Sequence, residues 1–239
     1  MKIVSGLGSL DEYIPFAEAG ADEFFCGYVP FTWSKKYGTM QPLNRREVMN
    51  YNVQIGAFEE LKILKKMVDC YGVPVKLAVN SLYYTGEQYK EIAELVDACM
   101  QIGFDTFIIA DPALILYLRE QKIFCKIHLS GECAEVNSLF LAQIAKFDIR
   151  RVIFHRKNSF SDMESVVKHG KNPGNKAGKR ERVITEYEAF VMNELCHFSG
   201  AFCNSLHCDE LGYLCRVPYR LGQEADCPGK QKRFTEEIL

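Results

Sequence analysis

Several features that identify common classes of protein are scarce or missing in this sequence of 239 residues. Charge of one sign is not in excess, because the formal net charge is −2, so nucleic acid as a partner is not indicated and any basic surface must be local. No apolar run reaches the length that spans a bilayer, and residues 1–8 are too few and too polar for the apolar core of a signal peptide. We therefore expect a folded cytoplasmic protein without a membrane span.

The sequence also lacks the glycine-rich motifs that bind nucleotide phosphates, since neither G-x-G-x-x-G nor a P-loop occurs in it. Strand-like and helix-like segments alternate instead along the chain, and this order specifies a parallel sheet. Seven such units without a nucleotide-binding motif favour an α/β fold of the TIM-barrel-like (β/α) type over a doubly wound sheet. We expect the barrel to be incomplete, because a cysteine-rich segment occupies the place of an eighth unit.

Hydrophobic periodicity gives the individual elements. Strands are predicted at 3–4, 21–27, 74–80, 106–110, 124–129, 151–155 and 186–191, and helices at 10–19, 58–68, 89–100, 136–145 and 159–168, with a further helix from Pro112. Gly20 should end the first helix in a left-handed conformation, and Ser159 or Ser161 should cap the last. Cys99 lies on the apolar face of its helix, so it is expected in the core.

Residues 28–58 show no clear periodicity, and a long irregular loop is predicted there. Its aromatic and arginine side chains could form the rim of a substrate site, or Trp33 could pack on the edge of the barrel. The same loop is where we would place a partner protein.

Cysteine, in contrast, is abundant. Five of the ten cysteines fall close together near the end of the sequence, at Cys196, Cys203, Cys208, Cys215 and Cys227. Thiols stay reduced in the cytoplasm, and thiolates gathered on irregular backbone suit zinc or an iron-sulfur cluster. The ligands that we select are Cys196, Cys203, Cys215 and Cys227, with His207 and Cys208 as substitutes. Their spacing matches neither a zinc ribbon nor a ferredoxin, so iron-sulfur, zinc and free thiols all stay open.

Polar residues collect at the carboxyl ends of the predicted strands, where the chemistry of a parallel barrel takes place. The candidates for binding substrate are Tyr28, Asn80, Arg156 and Lys157, and the candidates for catalysis are Glu132, His155 and Glu188. The neighbouring cations Arg156 and Lys157 should keep His155 neutral and could bind a substrate carboxylate. Glu132 could act as a general base or cap a helix, and Asp111 is expected to be a cap.

Several stretches resemble the collagenase-like peptidase family U32. They are residues 20–27, 75–80, 104–111 and, above all, 187–191 followed by Cys196 and Cys203. The gap of six residues between these two cysteines agrees with the family signature, and residues 215–219 resemble its later Cys-Arg-x-x-Tyr. The resemblance extends from Lys2 to Tyr219.

This resemblance implies a TIM-barrel-like fold. Some members are described as metal-dependent, collagen-degrading proteases. Others resemble proteins of oxygen-independent hydroxylation of ubiquinone or RNA, in which four cysteines hold a 4Fe-4S cluster and prephenate is the suggested oxygen source. If the family's cluster ligands are carried over to this sequence, they are Cys196, Cys203 and Cys215, with Cys227 as the natural fourth. The resemblance therefore favours a 4Fe-4S cluster over zinc.

Two departures from the family pattern weaken the protease hypothesis. Residues 192–194 are Met-Asn-Glu where the family usually has His-Gly-Ala, and Arg156-Lys157 replaces a common Arg-Glu. The changes remove two plausible ligands of a hydrolytic metal.

We therefore predict a barrel domain at residues 1–192 and a cysteine-rich, cluster-binding segment at 193–239 packed on the mouth of the barrel. The favoured function is oxygen-independent hydroxylation, or a related redox modification, of a small organic or RNA substrate by a 4Fe-4S enzyme. The alternatives are a metal-dependent peptidase and a non-catalytic iron-sulfur accessory protein.

Overall fold

The computed structural model describes residues 1–38, 41–45, 54–144, 147–171 and 186–191. Within them, seven strands form one sheet in chain order, and every neighbouring pair is parallel. The strands are β1 (Val4–Gly6), β2 (Glu23–Gly27), β3 (Val75–Val79), β4 (Thr106–Ile109), β5 (Lys126–Leu129), β6 (Ile149–Ile153) and β7 (Glu186–Glu188). The sheet curls into an incomplete TIM-like barrel, which confirms the predicted fold.

Helices alternate with the strands. They are α1 (Tyr13–Glu18), preceded by a 3-10 turn at Leu10–Glu12, then α2 (Phe31–Tyr37), α3 (Phe58–Tyr71), α4 (Gly86–Gln101), α5 (Pro112–Glu120), α6 (Ser138–Ile144) and α7 (Phe160–Lys171). Within the ranges given above, no helix is both long and apolar enough to cross a membrane.

Local sequence signals set the helix boundaries. Gly20 adopts φ +98°, the conformation predicted to end α1. Asp111 caps α5 by accepting a hydrogen bond from the Ala113 N–H at 2.8 Å, as expected. Ser159 caps α7, because its Oγ accepts a hydrogen bond from the Asp162 N–H at 3.2 Å.

The core lies between the sheet and the helices. All five residues of β3 and all four of β4 are buried, as expected for parallel strands covered on both faces. Cys99 of α4 is fully buried in this layer, which confirms its predicted place in the core. The segment predicted at 193–239 lies outside the described residues, so the two-part domain division stays a prediction.

Helix α2 corrects the prediction of an irregular loop at 28–58. Pro30 sets φ to −59° immediately before the first turn, and Trp33 and Tyr37 pack one turn apart with ring centroids at 4.6 Å. A helix of seven residues is too short for apolar periodicity to reveal it. Trp33 is only 3% exposed and donates a hydrogen bond from Nε1 to the Gln41 carbonyl, so it packs on the edge of the barrel.

Candidate functional site

Charged side chains fill the inside of the curled sheet near the starts of its strands. Arg151 of β6 lies opposite His128 of β5 and Glu186 of β7 in the strand register. Side chains at paired positions of parallel strands share one face of the sheet. The charged side chains that pair with one another on this face form what we call the ion cluster. It consists of Lys2, Glu23, Lys76, Arg151, Glu186 and Glu188.

Glu23 is the centre of the ion cluster and is only 2% exposed. Its carboxylate lies 2.6 Å from Lys2 Nζ, 2.6 Å from Lys76 Nζ and 2.8 Å from Arg151 Nη1. Burial raises the pKa of this carboxyl, but the hydrogen bonds from Arg151, Lys2 and Lys76 outweigh burial and hold the pKa well below its usual value. Glu23 therefore stays ionised inside the barrel.

Arg151 extends the ion cluster to the edge strand. Its Nε donates to Glu186 Oε2 at 2.8 Å, and its Nη1 lies 2.8 Å from Glu188 Oε2. The contact between Arg151 of β6 and Glu23 of β2 crosses the interior between strands that are not neighbours, as the curl of the sheet requires. Glu188, a predicted catalytic residue, is thus placed by the structure as an ion-pair partner of Arg151.

Our sequence reasoning missed the central members of the ion cluster. The available signal was a charged residue inside an otherwise apolar strand, as with Lys76 between Val75 and Leu77. His128 lies beside this cluster, and its pKa is lowered to about 3, mainly by burial and further by Arg151 and Lys76. It is therefore a neutral histidine of the barrel core.

A second polar group lies at the carboxyl ends of the strands, and we call it the mouth cluster: Arg45, Asn80, Ser130, Glu132 and Arg156. The Asn80 and Ser130 side chains follow β3 and β5, and Asn80 Nδ2 lies 3.4 Å from Ser130 Oγ. The Ser130 hydroxyl also accepts a hydrogen bond from the Glu132 N–H at 3.2 Å. Asn80 Oδ1 accepts one from the Arg45 N–H at 3.0 Å, so side chains and backbone from three segments converge.

Glu132 lies between the two guanidinium groups of the mouth cluster. Its Oε1 accepts a hydrogen bond from Arg156 Nη2 at 3.0 Å, and its Oε2 lies 3.6 Å from Arg45 Nε. Arg156 also packs against the ring of Phe190, with Cζ 5.8 Å from the ring centroid. The carboxylate of Glu132 is thus contacted by both guanidinium groups, one on each oxygen.

Gly131 allows the ends of β5 and β6 to approach closely at this site. A Cβ atom at position 131 would lie 2.9 Å from the Phe154 carbonyl oxygen and 3.3 Å from His155 Cα. Neither atom can move without shifting the backbone of the loop after β6. Glycine at this position therefore sets Glu132 beside the residues that follow β6.

His155 is 4% exposed and lies at the end of β6. Its Nδ1 accepts a hydrogen bond from the Lys157 N–H at 3.2 Å, so the proton of the neutral ring is on Nε2. Burial lowers the pKa of His155, Glu135 and Glu132 oppose this effect, and Arg156 and Lys157 lower the pKa by smaller amounts. The ring is therefore neutral, as predicted, but burial is the cause and not the two adjacent cations.

The remaining candidates lie in different surroundings. Lys157 contributes its backbone N–H to His155, as described. Tyr28 is buried and packs near Phe58, with ring centroids 6.2 Å apart, and it lines a separate cavity between helices. The structure thus brings Glu132 and Arg156 into direct contact and links Asn80 to them through Ser130 and Arg45, and it does not bring Tyr28 or Glu188 to them.

The predicted metal ligands Cys196, Cys203, Cys215 and Cys227 lie outside the described residues. Among the residues that the structure does describe, no group of three or more His, Cys, Asp and Glu side chains could hold a metal ion. Chemically, the predicted set of four thiolates fits an iron-sulfur cluster, and it fits zinc as well. The last described residue, Val191, is five positions before Cys196.

Comparison with known proteins identifies the family of this chain. The sequence profile of Peptidase family U32 matches residues 8–237. The chain belongs to peptidase family U32. This confirms the family that residues 187–191 and the later cysteines resembled.

One solved structure supports the fold of this U32 protein, and a second is less similar. The U32 peptidase Mk0906 is similar over 81% of this chain and 94% of its own, with 10% sequence identity and a TM-score of 0.52. Orotidine 5'-monophosphate decarboxylase from Methanocaldococcus jannaschii, in complex with the inhibitor BMP, is similar over 79% of this chain and 88% of its own, with 11% identity and a TM-score of 0.43. No curated protein matches the sequence. At such low identity the first likeness concerns the fold, not the reaction.

Proposed function

We propose that this U32 protein is a redox enzyme that binds an anionic organic substrate at its mouth cluster, next to a 4Fe-4S cluster held by the cysteine segment. The observation that supports it is the pair of guanidinium groups, from Arg45 and Arg156, on the single carboxylate of Glu132. They lie where the carboxyl ends of the strands meet, beside a neutral imidazole. Two guanidinium groups at this edge suit the binding of a substrate carboxylate.

Each member of the mouth cluster has a role in this proposal. The planar guanidinium groups bind the carboxylate, and the Asn80 amide and Ser130 hydroxyl orient the rest of the substrate. His155 offers its Nε2–H as a hydrogen-bond donor, because its Nδ1 is engaged by the backbone. Glu132 was a candidate base, but both of its oxygens face guanidinium groups, so it acts here by positioning the arginines.

The proposed ligands of the cofactor are Cys196, Cys203, Cys215 and Cys227. When bound, a 4Fe-4S cluster supplies one-electron transfer. The reaction class that the family resemblance implies is hydroxylation without molecular oxygen, in which an organic donor supplies the oxygen atom.

Cofactor content tests the first half of this proposal. We expect protein purified without oxygen to contain about four iron and four sulfide per chain and to absorb near 400 nm in the visible range. Replacing Cys196, Cys203, Cys215 or Cys227 by serine should reduce the iron content strongly, whereas replacing the exposed Cys70 should leave it unchanged. Zinc alone, together with cleavage of collagen or gelatin, would contradict the redox proposal and support a metallopeptidase.

Substrate binding tests the second half. Titration calorimetry with a panel of small mono- and dicarboxylic acids should find at least one that binds, and its affinity should fall about tenfold or more in Arg156→Met, since a charge-assisted pair is lost. The matched control is Arg150→Met on the other face of β6, which should bind as the wild type does. Equal affinity in Arg156→Met and the wild type would remove the mouth cluster from the proposal.

A further inference from the structure

An open cavity of about 250 Å³ lies outside the barrel, between α2, α3 and α4. We call it the outer cavity. Its walls include three aromatic side chains, Tyr28, Trp33 and Phe58, and the apolar Leu95 and Ala98 of α4. It shares no residue with the mouth cluster, and the proposed function does not use it.

Tyr28 lines the outer cavity, and its hydroxyl has no hydrogen-bond partner among the described residues. The residue is 7% exposed. Burial, with a smaller contribution from Cys99, raises the pKa of Tyr28 to about 12, so the phenol stays neutral and can donate or accept. A hydroxyl that lines an open cavity without a protein partner is available to hydrogen-bond to a ligand there.

The rim of the outer cavity is acidic. Glu91 and Glu94 of α4 both line it. Lys36 of α2 lies 2.6 Å from Glu91 Oε1 and 2.6 Å from Glu87 Oε1, so one ammonium group is shared by two carboxylates. Glu94 forms no ion pair within the described part of the chain, and its charge adds to this excess.

Lys62 provides a second cation near this rim, above the ring of Phe58 at 5.4 Å from the centroid. It is paired with Glu59 Oε1 at 2.8 Å, so it does not reduce the excess at α4. Among the residues that line the cavity itself, the charged ones are the carboxylates Glu91 and Glu94. An anionic ligand is therefore disfavoured here.

We propose that the outer cavity binds a small organic cation, an amine with an apolar body. Its ammonium group would lie between Glu94 and the aromatic faces, since both attract cations. The Tyr28 hydroxyl would accept a hydrogen bond from it, or donate one to a polar group on the ligand. Ligand sites generally measure ~300–1,000 Å³, so a cavity of about 250 Å³ accepts a ligand of the size of one substituted ring.

Trp33 makes this proposal directly testable, because it is the only tryptophan in the chain and it lines the cavity. Its fluorescence therefore reports on this site. Benzylamine, with benzyl alcohol as the neutral analogue of the same shape, should be titrated into the full-length protein at pH 7.5. We expect a saturable change in emission with benzylamine at a concentration about tenfold lower than with benzyl alcohol.

Three variants locate the effect. Glu94→Gln removes the charge and keeps the shape, so it should weaken benzylamine binding about tenfold and leave benzyl alcohol unchanged. Tyr28→Phe should weaken both ligands several-fold. The control Glu164→Gln, on the surface of α7 beside Lys168, should change neither.

The proposal fails if benzylamine and benzyl alcohol bind equally, since the cavity would then be merely apolar. It also fails if emission changes linearly without saturation, or if Glu94→Gln and Glu164→Gln weaken binding to the same extent. Circular dichroism and the urea midpoint of each variant distinguish lost binding from lost folding. A benzylamine titration that saturates in the wild type, with the loss confined to Glu94→Gln and Tyr28→Phe, supports it.

Discussion

The ion cluster and the mouth cluster both pair arginine with glutamate, one near the starts of the strands and the other after their carboxyl ends, and they differ in burial. In the ion cluster, Glu23 and Arg151 are 2% and 5% exposed, and three cations match three carboxylates. In the mouth cluster, the side chain of Arg156 is 26% exposed, and two guanidinium groups share one carboxylate.

The difference separates a structural role from a binding role. Charges that are buried and fully matched inside a barrel contribute by holding strands together, and removing one partner leaves the other uncompensated. Charges that stay partly exposed at the strand ends contribute less to stability and remain accessible to a ligand of opposite sign. We therefore expect stability to depend on the first cluster and ligand binding on the second.

The largest effect is expected from Arg151→Met, which leaves Glu23, Glu186 and Glu188 without their shared partner. It should reduce the free energy of unfolding by about 3–5 kcal/mol, measured by urea denaturation. The neighbouring Arg150 is half-exposed and lies 3.8 Å from Asp148, so Arg150→Met should cost less than about 1 kcal/mol. If both variants lost similar free energy of unfolding, the interior ion pairs of Arg151 would contribute no more to stability than a surface charge does.

A smaller effect should appear in the pH dependence. The pKa of Glu23 is lowered in the folded protein, so its contribution is present above the pKa of the unfolded chain and is lost as the pH falls below about 5. The stability difference between the wild type and Glu23→Gln should therefore shrink by about 2 kcal/mol between pH 6 and pH 3.

Exposed Glu59 supplies the control for this measurement, since its ion pair with Lys62 lies on the surface and Glu59→Gln should cost less than about 1 kcal/mol at either pH. A difference for Glu23→Gln that stayed constant or grew on acidification would mean that Glu23 is not held ionised by its three cations.

The smallest effect concerns His155 at the mouth. Its pKa is lowered in the folded protein, so the unfolded chain binds the proton more tightly and His155 costs stability as the pH drops below about 6.5. An NMR titration should give His155 a pKa below about 6.5, and Glu135→Gln should lower it further, because the Glu135 carboxylate raises it. A pKa above 6.5 in the wild type would show that the ring is charged and would move the mouth toward a larger positive charge.

The strand order was predictable because each parallel strand is a short, apolar run bounded by clear helix signals. All seven predicted strands occur, and Asp111 and Ser159 cap their helices as expected. Strand ends were displaced by about one to three residues, as at β6, which was predicted at 151–155 and runs over Ile149–Ile153. Helix α2 was missed because seven residues carry too little periodicity.

The site was predictable only in part. Position at a strand end brought Asn80, Glu132 and Arg156 together, because the carboxyl ends of parallel strands meet at one edge. Arg45 could not be assigned in the same way, since it lies in a connection whose path depends on tertiary packing. Glu188 was assigned to catalysis, but the sequence does not reveal that Arg151 reaches it from the next strand.

One consequence of the ion cluster concerns how the strands find their alignment. Strands that are apolar on both faces carry little information about which residue should face which, because a slip by one position exchanges one apolar side chain for another. In β3 the same slip would turn Lys76 outward into the helix layer and bring Leu77 against the Glu23 carboxylate. A sheet with shifted strands would leave buried charges without their partners, so the ion cluster favours the native strand register over the alternatives.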